Sequence, residues 1–326
     1  MREIDEISHG LMKYGGIVMY VLGTIGNFLN ICVFAIWCRR KKPSNRRRAI
    51  NSSLYLLVSS ISNLLVIVYP LLTRILLDGY EYSITNMNVF FVCNFRYYVL
   101  HTFDLLSLSC ICLATFDRYL ITSRDARLRK LSPTKTRTKY ILLFLIFLHG
   151  FHSIPILIYY DISKTGYCTI VSLNYLYYYL YTFQIFLHGF IPIIFLSIFG
   201  TLTFKNLRMN CKRRRHSSEK QLSRMLLMIS LAIILSSIPY CIEQSYYVLL
   251  NENNRQQTSF FFLFHVTCSI LFYTNPVSSF YIYYISTRNF RREVRRIILC
   301  RRTVHYGLIY QLQQMTNSKQ TVTDTV

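Results

Sequence analysis

The sequence predicts an all-α membrane protein, a seven-transmembrane helix bundle followed by a short amphipathic eighth helix. Composition is the first observation behind this. The 326 residues are 52% hydrophobic with a mean hydropathy of +0.30, more apolar than a soluble domain of this length. The second is that seven apolar stretches recur, near 17–38, 51–77, 94–122, 139–160, 176–204, 222–250 and 259–285. Each is long enough, at a rise of about 1.5 Å per residue, to cross a hydrocarbon core of about 30 Å. None shows the strict alternation of barrel strands, so helices are the expected way to satisfy the backbone in lipid.

The third observation is where the charge lies. The net charge of +23 invites a nucleic-acid partner, but its distribution argues against one. Four segments, 39–48, 118–139, 205–224 and 288–302, hold 30 of the 37 Lys and Arg, while residues 1–16 and the alternate connections hold four, against seven acids. Seven spans put all four basic segments on one side, which the positive-inside rule makes cytoplasmic, with the N-terminus outside. Attraction to anionic lipid then accounts for the charge. The sole N-x-S/T sequon, Asn51-Ser52-Ser53, falls on that inner side, so no glycan is expected.

Residues 1–16 form an outer N-terminus without the pattern of a signal peptide, so the first span is expected to direct insertion. Residues 17–285 form the membrane domain. In 286–300, Phe290, Val294, Ile297 and Ile298 share one face and arginines the other, as in a helix lying on the inner leaflet. Cys300 closes that helix, either as a palmitoylation site or as an ordinary thiol. Residues 301–326 read as a polar cytoplasmic tail. No internal repeat marks a duplicated transporter fold.

The chain is organised around Ser107 to Thr122, SLSCICLATFDRYLIT. Asp117-Arg118-Tyr119 closes this apolar helix. Arg or Asp costs about 2.5–3.5 kcal/mol at a helix centre on insertion scales, and less near the interface. Such a residue either snorkels to phosphate or has a partner and a task. The ten cysteines lie mostly in apolar stretches as small hydrophobes, and none has metal-ligand spacing.

Together these features resemble the rhodopsin-like (class A) G-protein-coupled receptors over residues 17 to 300. Gly26-Asn27 stands in the first span as the family's Gly-Asn pair does. Cys93, twenty-five residues before Arg118, has the family's spacing, which implies a disulfide to Cys168 in the second outer loop. Pro192 and Pro239 match the family's fifth- and sixth-span prolines, which kink a helix and let its inner half swing. Glu219, twenty residues before Pro239, implies an ionic partner for Arg118, the alternative being a solvated acid beside Lys220 and Arg224. A closed bundle would hold Arg118 on Asp117 and Glu219, and outward movement of helix six would release it.

In the seventh span two registers compete. Asn275-Pro276 invites the family's Asn-Pro-x-x-Tyr, but leaves Ser279 at the Tyr position. The favoured register takes Ser279-Phe280-Tyr281-Ile282-Tyr283, which sets Tyr283 seven residues before Phe290. Phe280 in place of the proline is similar to invertebrate neuropeptide receptors, FMRFamide-like ones among them. The family's second-span Asp is Asn63. With Ser107, Asn275 and Ser279 it makes a polar core lacking a carboxylate, a poor sodium site and a better one for water-bridged bonds. The sixth-span Trp is Ser237 and the fifth-span Tyr is Gly200, so the activation relay must differ in detail.

The resemblance also narrows the ligand. The Asp of amine receptors is Leu100 here, and Tyr273 stands where an opsin has its Schiff-base Lys. The outer halves offer Tyr97, His101 and Asp104 on the third helix, Gln184 and His188 on the fifth, Glu243, Gln244 and Tyr247 on the sixth, and His265 and Tyr273 on the seventh. Asp104 and Glu243 either meet a cationic group of the ligand or an internal partner such as Arg96 or His101. A short peptide is the expected ligand, a heterotrimeric G protein and membrane lipids the expected partners, and the plasma membrane the expected location. A seven-helix channel or transporter, or a receptor-like protein without signalling, are the alternatives. His149 and His152 pair on one helix without a carboxylate, and no hydrolase, zinc-protease or nucleotide-loop motif occurs. No enzyme activity, cofactor or metal is expected.

Overall fold

The computed structural model describes residues 2–39, 49–82, 89–162, 168–209, 217–252 and 259–299. For residues 2, 49–50, 162, 217–220, 244–245 and 247–252 it describes the backbone alone. Seven helices are long and apolar enough to span a membrane: α1 Glu3–Arg39, α2 Asn51–Gly79, α3 Phe90–Thr122, α4 Lys135–Tyr159, α5 Leu173–Met209, α6 Gln221–Glu243 and α7 Ser259–Ser286. A final helix, α8, runs Arg288–Ile298. The seven-helix bundle with its short eighth helix is therefore the fold.

Two ends lie beyond the expected ones. The first helix starts at Arg2, not near residue 17, so most of the expected outer N-terminus is helix. Acids at Glu3 and Asp5 suit a helix start, and no proline interrupts the run to Arg39. Likewise, α6 continues as helix from Ser217 to Glu252. Pro192 carries no N–H for the carbonyl four residues back, and the widened, π-helical turns of Tyr179–Phe190 end just before it.

Burial ranks the helices. In its most apolar window α3 is 72% buried and α4 only 22%, so α3 is the central post and α4 faces lipid. Between membrane helices, close packing replaces hydrophobic drive, and small residues allow it. A Cβ on Gly26 would stand 2.9 Å from the Phe280 Cβ, and one on Gly23 would stand 2.6 Å from Ile67. These glycines let α1 meet α7 and α2.

At one end of the bundle an antiparallel hairpin pairs Tyr160–Ile162 with Cys168–Ile170. Cys168 is bonded to Cys93 at the start of α3, with Cα atoms 5.6 Å apart. Asn94 donates to the carbonyls of Leu157 (3.0 Å) and Tyr160 (2.7 Å), fixing the hairpin against α3. At the other end, Phe290 and Val294 of α8 are buried, and Phe290 packs on Phe34, Trp37 and Tyr283. Ile297 is half-buried against this core, whereas Ile298, expected on the same face, is 62% exposed.

Candidate functional site

Asp117 and Arg118 lie at the α8 end of α3, each 1% exposed. The guanidinium Nε donates to the Ser52 hydroxyl at 2.8 Å, and an Nη sits 3.4 Å from the Asp117 carboxylate. Asp117 in turn accepts from Ser52 (2.6 Å) and from Ser132 (2.7 Å). Asn51 donates to the Pro133 carbonyl. Arg118 therefore faces the bundle rather than lipid, and α2 and the α3–α4 connection hold its carboxylate. Tyr119 turns away, against Phe116 and Phe199. The Glu219 side chain expected to join this pair lies outside the described residues, as does Cys300.

Midway along the bundle the expected single polar core is two clusters. Asn27 donates to the carbonyls of Gly23 and Pro276, both at 2.9 Å, and Asn30 donates to the Ser279 hydroxyl at 3.3 Å. Separately, Ser107 donates to Asn63 (2.6 Å) and bonds Ser59 (2.8 Å). Among the described residues, Asn275 joins neither cluster through its side chain. It lines a small cavity shared with Asp104, His188, Ser237, Tyr240 and Phe272.

Tyr283 is 1% exposed, and its ring meets Phe290 edge to face at 5.9 Å. Ser279 faces Asn27 of α1 at 3.5 Å. Pro276 and Pro239 both lie inside continuous helices.

Toward the disulfide end, the expected pocket residues mostly pair with one another. His101 Nε2 and the Tyr179 hydroxyl are 2.6 Å apart, and Gln184 donates to the same oxygen at 2.8 Å. Tyr97 stacks on Tyr160 with centroids 4.4 Å apart. Asp104 does not wait for a cationic ligand, since His188 Nε2 is 3.1 Å from its carboxylate. Nor does Glu243, which is fully buried and lies 2.7 Å from His265 Nδ1. The partners are thus histidines, neither Arg96 nor His101. Buried carboxylates in a helix bundle require such pairing. Tyr273 packs in an apolar cluster with Met12, Val66 and Val266, away from the cavity. The side chains of Gln244 and Tyr247 lie outside the described residues. Among those described, His101 Nδ1 and Gln184 Oε1 are buried without a hydrogen-bond partner.

Several residues that matter were not singled out from the sequence: Ser52, Ser132, Asn30, Tyr179 and Arg74. Arg74, 7% exposed, pairs with Asp78 at 2.9 Å and donates to His265 Nε2. Its spacing of four from Asp78 was a usable signal. The serines offered none, because their role depends on which faces of α2 and α3 meet.

A family model described as 7 transmembrane receptor (rhodopsin family) matches residues 29–283. The chain belongs to the rhodopsin family of seven-transmembrane receptors. Members of this family are signalling receptors, not enzymes. The match takes in Asp117-Arg118-Tyr119, both disulfide cysteines and the seventh span to Tyr283. No curated protein matches the sequence.

Proposed function

We propose that this receptor binds a short extracellular peptide and activates a heterotrimeric G protein at the plasma membrane. The observation that carries the proposal is the buried Arg118, held by Asp117 and Ser52 at the end where the basic connections gather. An arginine so placed is a two-state element. Closed, it is satisfied within the bundle. Open, with α6 moved outward about Pro239, it faces a cavity in which a G protein can meet it. A ligand shifts the balance only by preferring one state.

The peptide assignment draws on the other end. Aromatic and polar groups from α3, α5 and the hairpin surround unsatisfied buried atoms at His101 and Gln184, which a peptide amide can satisfy. Asp104 and Glu243, already paired, then shape the pocket rather than grip a cation.

The test is to express the receptor, screen short amidated peptides and amines, and read nucleotide exchange on several G proteins. Arg118→Ala is expected to abolish exchange while ligand binding persists. Coupling retained in that variant, or ligand-driven current without G protein, would overturn the proposal.

A further inference from the structure

The connection between α3 and α4 holds a step that occurs once in the chain. Of the seven prolines, only Pro133 follows a serine or threonine, Ser132. Lys135 stands two positions after that proline, and Arg129 and Lys130 lie just before the serine. In space the dipeptide is the gap between two capped helices. Asp125 caps a short helix, Ala126–Lys130, by accepting from the Arg127 N–H at 2.8 Å. Thr134 caps α4 by accepting from the Arg137 N–H at 3.3 Å. Among the described residues, no hydrogen bond between backbone groups fixes Ser132 or Pro133. Two side-chain bonds hold them instead. The Ser132 hydroxyl donates to Asp117 at 2.7 Å, and Asn51 donates to the Pro133 carbonyl. Ser132 is half-buried, while Leu131 and Thr134 on either side of the dipeptide are exposed.

We propose that Ser132 is a phosphorylation site for a proline-directed Ser/Thr protein kinase, and that phosphate there loosens the Asp117–Arg118 pair. The proposal rests on the reading of the basic end as cytoplasmic, where ATP and kinases are, and of Arg118 as a two-state element. Kinases of this class take a proline directly after the acceptor and favour a cation where Lys135 stands. Pro133 biases Ser132 toward extended backbone, the shape in which a kinase cleft takes its substrate. In the transfer, Ser132 Oγ attacks the γ-phosphorus of ATP. An Oγ–P bond forms as the bond from that phosphorus to the β,γ-bridging oxygen breaks. ADP leaves, and the hydroxyl proton passes to the base of the kinase.

Before transfer, Ser132 is one of two hydroxyls that donate to Asp117, the other being Ser52. Afterwards its oxygen bridges to phosphorus and has no proton to donate. The phosphoryl group brings a charge of about −1.5 to −2 at pH 7, next to a carboxylate that is buried. Like charges repel strongly where water screens them poorly. Lys130, Lys135 and Arg137 are all exposed, and they offer the phosphate partners on the solvent side of the connection. The connection is thereby drawn off Asp117, and the hold on the buried pair weakens. Ser132 must also leave Asp117 to enter a kinase cleft. The open form is therefore the better substrate, and the phosphate keeps the connection from closing again.

The experiment incubates the full chain in lipid nanodiscs with MgATP and a purified kinase of the cyclin-dependent class, and locates phosphate by mass spectrometry. Phosphate is expected on Ser132, and is expected to be absent there in Ser132→Ala and in Pro133→Ala, which keeps the hydroxyl. Asp117→Asn weakens the hold on that hydroxyl and is expected to speed its modification roughly tenfold, the weight of one hydrogen bond to a charged group. Phosphorylation is expected to lower the unfolding midpoint of the receptor by about 2 °C or more. In Asp117→Asn, where the repelling charge is gone, the fall is expected to be much smaller. Should Asp117→Asn fail to fold, Ser132→Glu and Ser132→Gln decide, because the charged side chain should lower the midpoint more. No phosphate on Ser132, phosphate only on neighbours such as Thr134 and Thr136, a midpoint that is unchanged or raised, or a fall just as large in Asp117→Asn would each overturn the proposal. Neither ligand nor G protein is used, so this result and the coupling test stand apart.

Discussion

Both ends of the bundle hold a buried arginine beside a carboxylate of its own helix, and they differ in what completes the site. Arg118 and Asp117 adjoin in sequence and are completed by the hydroxyls of Ser52 and Ser132. Arg74 and Asp78 are one turn apart and are completed by the imidazole of His265 and, through it, Glu243. A hydroxyl on α2 reaches two neighbours of α3, whereas an imidazole reaches partners through nitrogens on opposite sides of its ring. The contrast teaches that two buried arginine–carboxylate pairs of similar composition can tie different helices: α2, α3 and the α3–α4 connection at the α8 end, and α2, α6 and α7 at the disulfide end.

The largest expected effect breaks the α8-end lock outright. Asp117→Ala leaves Arg118 without its carboxylate inside the bundle, and loss of one partner of a buried pair costs about 3–5 kcal/mol. Thermal unfolding of the purified receptor should fall accordingly, and an unchanged midpoint would mean that Arg118 finds full compensation elsewhere. Next is Cys93→Ser, which removes the bond holding the hairpin to α3. A stability loss of about 2–5 kcal/mol is expected, with ligand binding lost before the α8 end is disturbed. A uniform loss at both ends would erase the distinction between them. Ser52→Ala removes hydrogen bonds to both members of the Asp117–Arg118 pair. About 1.5–3 kcal/mol is expected, measured as a fall in the unfolding midpoint. An unchanged midpoint would show that the pair does not depend on this hydroxyl. Smallest is His9→Gln, whose partner Glu81 is largely exposed. Less than about 1 kcal/mol is expected.

Much of the fold was legible because its signals are local. Seven apolar runs, the gathering of basic residues between alternate pairs of them, and the amphipathic pattern of Phe290 and Val294 are each written along a single segment. The start of α1 was missed because residues 2–16 are too polar to read as a span, yet they continue the helix beyond the apolar run. The pairing of Cys93 with Cys168 was legible through the family's spacing.

The site was legible in its residue types and not in their partners. Asp104 and Glu243 were visible as costly acids, but nothing in the chain said that His188 and His265 would meet them. By itself the sequence determined how many helices cross the membrane and which positions carry charge into it, because apolar length and residue type are properties of one segment. Only the tertiary structure decided that Ser52 reaches Arg118, that Asn275 leaves the polar core for the cavity, and that His265 stands between Arg74 and Glu243. Each of those contacts depends on the rotation of one helix against another, which is set where small residues such as Gly23 and Gly26 let the helices close.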